Sequence, residues 1–147
     1  MTACCAAGNG YVSGGRYRGL ASEAEVVLIK AGVDDGRVRG KHVAHAIRLP
    51  LRYPQLGIRI LNVSLGVFAH DPDREDVEAA VREVVEAGIT VFAAAGNVAG
   101  QVPSAPGSAA EAITVGGGRI RSVEEEGEHE PWPSSYGSPR PGVHKPI

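Results

Sequence analysis

Asn97 has the residue type and setting to act on a reacting group. The stretch Val91-Phe92-Ala93-Ala94-Ala95-Gly96-Asn97 is apolar up to Ala95, as suits a strand covered on both faces. Gly96 lets the backbone turn sharply, and Asn97 then projects an amide from the carboxyl end of the strand. In open α/β sheets the ligand crevice lies at that end. A side-chain amide offers two N–H donors without charge, which suits an oxyanion that forms and collapses within one turnover. The competing reading is an asparagine in a turn, where its side chain tolerates left-handed geometry.

Other candidates carry less. His42 and His45 stand at i, i+3 on a predicted helix and could chelate a metal, but two exposed helical histidines are more often plain surface. His70 and His129 sit in polar loops and His144 in the tail. Ser135 belongs to the turn Ser134-Ser135-Tyr136-Gly137, which is not a nucleophile elbow. The glycine-rich stretch Gly8 to Gly15 follows a helix and precedes a strand, the wrong context for a phosphate cradle, and it has no Gly-Lys-Ser/Thr. Cys4 and Cys5, the two cysteines, are adjacent; they make neither an ordinary disulfide nor a zinc framework, and read as small buried side chains. No metal site is assigned.

The elements that must position these residues alternate along the chain. Residues 2–7 read as a helix stopped by Gly8-Asn9-Gly10, and Glu25 to Ala31 as a strand. Val43, Ile47 and Leu51 recur at helical spacing from Gly40, with Pro50 expected to kink or end that helix. Ile58 to Ser64 is the next strand. Val77, Ala80, Val81, Val84 and Val85 form the apolar stripe of a helix over 72–87, with Asp71 as N-cap, Pro72 at N1 and Gly88 at C′. Strands 89–95 and 112–116 follow. Past Arg119 come an acidic run, Glu124 to Glu130, and five prolines from Pro131 to Pro146, which read as loop. Strands alternating with helices predict an α/β fold built on a parallel sheet with right-handed crossovers.

Composition bounds the function. The 147 residues suit about one domain, with its core over 1–118 and the loop 119–147 belonging to it. A net charge of −2 gives no electrostatic case for nucleic acid or an anionic membrane. No apolar run approaches the roughly 20 residues of a membrane span, and no signal peptide opens the chain.

Taken in order, Gly19-Leu20-Ala21, strand 25–31, Leu61-Asn62-Val63-Ser64-Leu65-Gly66, helix 72–87, Ala94-Ala95-Gly96-Asn97, Ala112-Ile113-Thr114-Val115-Gly116 and Ser134-Ser135-Tyr136-Gly137 resemble the subtilisin-like serine proteases. Asn-x-Ser-Leu-Gly about thirty residues ahead of Ala-Ala-Gly-Asn is the specific part. The resemblance spans nearly the whole chain but only the middle of a subtilisin-like catalytic domain. It implies a three-layer, mostly parallel sheet with helices on both faces, here incomplete. Asn97 then matches the side-chain donor of the oxyanion hole. Ser64, Leu65 and Gly66 match the segment that pairs with an extended polypeptide substrate and walls the S1 pocket, and Ala94, Ala95 and Gly96 match the opposite wall. The loop around Gly36–Gly40 lies where the family has a second pairing segment.

The resemblance also implies what is missing. The family's His-Gly-Thr would precede the helix at residues 2–7, its Asp strand would lie further upstream, and its Gly-Thr-Ser would follow the last residue. The chain alone is therefore expected to be inactive. No cofactor is expected; calcium is possible in the complete family domain, but the loop after Gly8 offers only Asn9 and carbonyls, a weak set. The absent Asp-bearing strand would lie between strands 25–31 and 58–64, so association through exposed strand edges is expected. The family is often secreted, and the compartment of this chain is left unassigned. The alternatives are a non-catalytic peptide-binding remnant and, less favoured, a nucleotide-binding α/β domain.

Overall fold

The computed structural model describes residues 2–32, 38–120, 129–131 and 134–135. It divides into two compact units, Met1–Lys30 and Ala31–Ile147. No helix among the described residues is long and apolar enough to cross a membrane.

In the first unit, α1 (Thr2–Ala7) ends as expected at Gly8, whose N–H donates to the Cys4 carbonyl at 2.9 Å. The chain then folds back, and Ala21 N–H reaches the Ala6 carbonyl at 2.9 Å. Gly19 lies so close to α1 that a Cβ there would stand 2.6 Å from the Ala7 nitrogen, so only glycine fits. Two sequence expectations fail here. Cys4 and Cys5 are free and exposed, because α1 buries none of its six residues within this unit. Residues 25–31 run without strand pairing, and Leu28 is 77% exposed. An apolar run becomes a strand only when a partner takes its ladder hydrogen bonds, and none does so among the described residues. Asn9, offered above as a calcium ligand, accepts the Tyr11 N–H through Oδ1 at 3.0 Å.

The second unit holds α2 (Gly40–Arg52), β1 (Ile60–Val63), α3 (Arg74–Glu86), β2 (Thr90–Ala94) and β3 (Ile113–Val115). The sheet order is β1-β2-β3, parallel throughout, with Val63 opposite Ala93 and Ala94 opposite Val115. β1 and β2, which lie within the runs read as strands 58–64 and 89–95, are thus parallel neighbours. The core is built from small side chains. Val43, Ala44 and Ile47 of α2 and Val77, Ala80, Val81 and Val84 of α3 are buried, with Val91, Ala93 and Ala95 from the sheet. Valine and alanine in such numbers let helices approach closely.

Helix ends explain several boundaries. Gly88 adopts φ 87°; its N–H donates to the Val85 carbonyl and Ile89 N–H to Val84, the paired bonds of a Schellman motif. The N-cap of α3 is Asp73 rather than Asp71, and it makes no side-chain cap bond. Asp71 Oδ1 instead accepts the Asp73 N–H at 2.9 Å, a local turn that delays the helix. Arg39, which precedes α2, makes no cap bond either. The first amides of α2 are met from elsewhere, Gly40 N–H by Asp71 Oδ2 at 3.3 Å and Lys41 N–H by Asp73 Oδ2 at 3.2 Å. Two carboxylates there also suit the positive end of the helix dipole. Pro50 does not end α2, which runs on to Arg52. Of the Gly36–Gly40 loop, residues 36 and 37 lie outside the described residues and Gly40 opens α2.

Part of the stretch read as loop is a strand pair. Gly118–Ile120 (β4) pairs antiparallel with His129–Pro131 (β5). The acidic run hid it, since glutamate is depleted in strands.

Arg48 of α2 joins the two helices. Its guanidinium donates to both oxygens of Glu83 at 2.6 and 2.7 Å and lies 2.8 Å from Asp76. The hydrogen bond from Arg48 holds the Glu83 carboxyl below its ordinary value, opposed by partial burial. Because the folded-state value is the lower one, the stabilisation is complete above the ordinary glutamate range, about 4.3, and is lost as pH falls through the folded-state value. Arg48 stays charged throughout. Thermal melting should therefore decline on acidification below that range, and Arg48→Met should flatten this part of the profile. Glu83 is 45% exposed, so the effect is small; a profile unchanged by the substitution would count against the staple.

Among the described residues β1 has a strand neighbour on one side only, and its Ile60 is 62% exposed. Such an edge recruits other strands, and natural edges are blunted by lysine. Sedimentation should show concentration-dependent association that Ile60→Lys weakens. Equal association in both proteins would place the contact elsewhere.

Candidate functional site

The register settles which residues share an end of the sheet. With Val63 opposite Ala93, Ser64-Leu65-Gly66 follow β1, and Ala95-Gly96 follow Ala94, the last residue of β2, at the same carboxyl end of adjacent parallel strands, about 4.8 Å apart where paired. Ala93 and Ala95 are buried while Ala94 and Gly96 are half-buried, the alternation of a strand reaching its end. Asn97 follows, exposed. Ser64 and Gly66 are exposed and Leu65 is half-buried; Asn62 Nδ2 donates to Ser64 Oγ at 2.9 Å. Every site residue expected from the sequence thus belongs to these two strand ends.

A tight turn backs both of them. Val67 N–H donates to the Ala105 carbonyl at 2.8 Å, which ties down the residue after Gly66. A Cβ on Gly66 would collide with Ser104 Oγ, and one on Gly107 would stand 2.5 Å from the Ala94 carbonyl oxygen. Thr114 Oγ1 donates to the Gly107 carbonyl at 2.7 Å. From α3, the buried Glu78 accepts Ser108 Oγ–H at 2.5 Å and faces Arg74 Nε at 3.3 Å. The turn is therefore gripped by β1, β3 and α3 together.

The sequence singled out Ser134-Ser135 without giving them work near Asn97. Ser135 N–H and Ser134 Oγ each donate to the Gly96 carbonyl at 3.1 Å, and Ser135 Oγ donates to the Val98 carbonyl at 3.1 Å. No local signal could have reported contacts 37 and 38 residues apart in sequence. Since the Ser135 hydroxyl proton is committed to a carbonyl, it is not poised for nucleophilic attack. Asn97, Ser64 and Gly66 carry no charge: they can pair with a peptide backbone and donate to an oxygen.

The profile of the Subtilase family matches residues 1–145. The chain belongs to the subtilase family. Serine protease AprX of Bacillus subtilis (strain 168) is 34% identical over 119 residues, covering 75% of this chain and 27% of that protein. Among solved structures, S41 psychrophilic protease superposes with a TM-score of 0.77 at 27% identity, over 92% of this chain and 44% of that chain. Sphericase gives 0.73 at 27% identity, over 92% and 43%. This subtilase chain thus spans about a quarter of the curated relative and less than half of each solved chain. Its α/β fold with a parallel sheet is that of the subtilisin-like proteases, in part. The family match removes the nucleotide-binding alternative.

Proposed function

We propose that this subtilase chain forms the central part of a serine endopeptidase domain, supplying an oxyanion donor and a substrate cleft. The observation that supports the reading is the parallel pairing of β1 and β2 with Val63 opposite Ala93, which brings the segments that follow Val63 and Ala94 to one end of the sheet. An extended polypeptide would pair its backbone with Ser64–Gly66, as strand addition does. Glycine at 66 leaves room for that approach. A scissile carbonyl held there would develop negative charge on its oxygen when attacked, and the Asn97 amide would donate to it. The attacking serine, the histidine that takes its proton and the aspartate that orients the histidine are supplied from outside these 147 residues.

Binding and hydrolysis therefore come apart in this chain. A fluorescently labelled, blocked peptide of extended conformation should bind saturably. Gly66→Val should weaken it about tenfold or more, roughly 1.4 kcal/mol, in protein that still unfolds cooperatively, although the added Cβ also presses on Ser104 Oγ and lowers the melting temperature. Equal binding by both proteins, or none by the unmodified chain, would dispose of the cleft.

A further inference from the structure

An oxyanion donor works only if held close to the position of the developing charge, to within about half an ångström. Asn97 lies past the end of β2, where the sheet ladder no longer fixes the backbone. Something else must hold it. The peptide group before Asn97 and the carbonyl of the residue after it are held by the same pair of residues. The Gly96 carbonyl accepts two hydrogen bonds, from Ser135 N–H and Ser134 Oγ, each at 3.1 Å. The Val98 carbonyl accepts a third, from Ser135 Oγ at 3.1 Å. Ser135 is 4% exposed, so its own N–H and hydroxyl are largely withdrawn from water.

Gly96 completes the arrangement. Its φ of 107° lies where side chains are strained, and a Cβ there would stand 2.8 Å from Ser135 Oγ. Glycine at 96 therefore serves the turn and the approach of Ser135 at once. With the carbonyls before and after it fixed, the Asn97 backbone is bracketed, and its side chain starts from a defined point. We infer that Ser135, assisted by Ser134, is the positioning residue of the Asn97 amide. The inference rests on the proposed role of Asn97 for its catalytic meaning, but the bracket itself can be tested separately.

The chain contains three asparagines, Asn9, Asn62 and Asn97. Labelling the full chain with ¹⁵N-asparagine therefore gives three side-chain amide pairs, two of them internal controls. Asn62 donates to Ser64 Oγ, two residues further along the same strand segment, and Asn9 accepts from Tyr11 N–H in the first unit. Ser135→Ala should shift and broaden the Asn97 signals and leave Asn9 and Asn62 in place. Ser134→Ala combined with it should enlarge the change. Ser135→Thr, which keeps a hydroxyl donor, should restore the original signals. Unmoved Asn97 signals in the double variant would overturn the inference, as would all three asparagines moving together, the mark of general loosening. Failure of threonine to restore them would remove the hydroxyl from the assignment. None of these results bears on peptide binding by the cleft, which is judged with Gly66→Val.

Discussion

Incubated with a casein-type substrate, the purified 147-residue chain should leave it intact. An oxyanion donor lowers a barrier only along a path on which a nucleophile attacks the carbonyl. Within subtilisin-like enzymes, loss of one such donor is known to cost about 10²–10³ in kcat, a magnitude belonging to that family. On the proposed reading the chain lacks far more, since nucleophile, base and orienting carboxylate would all be supplied from elsewhere. Ser135, the buried serine nearest Asn97 in the bonding pattern, has its hydroxyl engaged by the Val98 carbonyl. Turnover above background that titrates with a serine-directed phosphonate would show that these residues hold a complete catalytic set.

The largest stability loss is expected from Glu78→Ala. Glu78 is 4% exposed, and its carboxylate is bonded by Ser108 and faced by Arg74. Breaking a buried charged pair on one side costs about 3–5 kcal/mol when the partner is left buried. The Arg74 side chain keeps 25% of its exposure, so it is partly rehydrated and the expected loss is nearer 2–3 kcal/mol. That is a large share of the roughly 5–15 kcal/mol of a typical domain. For a chain of this size it lowers the melting temperature by about 6–9 °C. Glu78→Gln should lose less, since an amide oxygen still accepts the Ser108 hydroxyl. A double-mutant cycle with Ser108→Ala should show coupling, because the two groups touch. An unchanged melting temperature in Glu78→Ala would mean that the turn at Ala105 to Ser108 is held by its other contacts alone.

What the sequence shows of this fold depends on how local its causes are. The Val77, Ala80, Val81, Val84 stripe and Gly88 are local signals, and α3 with its Schellman end appears where they put it. β1 and β2 follow from apolar runs bounded by turn residues, and their parallel pairing is what a crossover through α3 allows. The run from Glu25 to Ala31 looks equally strand-like, but strand formation also depends on a partner backbone. Cys4 and Cys5 were misjudged because burial belongs to the surroundings of α1 and not to residue type. In the candidate site, the strand-end residues were legible from their motifs. The Ser135 bracket and the Glu78 anchor were not, because each joins segments distant in sequence through side chains of unremarkable type.

The caps of α2 bear on how this protein can diversify. Asp71 and Asp73 meet the first amides of a helix that begins some thirty residues earlier in the chain. Asp71 is also held by its own N–H on the Phe68 carbonyl, 2.9 Å away, two residues past Gly66. The connection from the cleft segment to α3 is thereby measured at both ends. A residue added or removed between Gly66 and Asp73 would draw the carboxylates away from Gly40 and Lys41 and uncap α2. Surface connections ordinarily accept changes of length, but this one does not have that liberty. Change in this connection is therefore open to exchanges of exposed residues such as Phe68 and His70, and closed to added length.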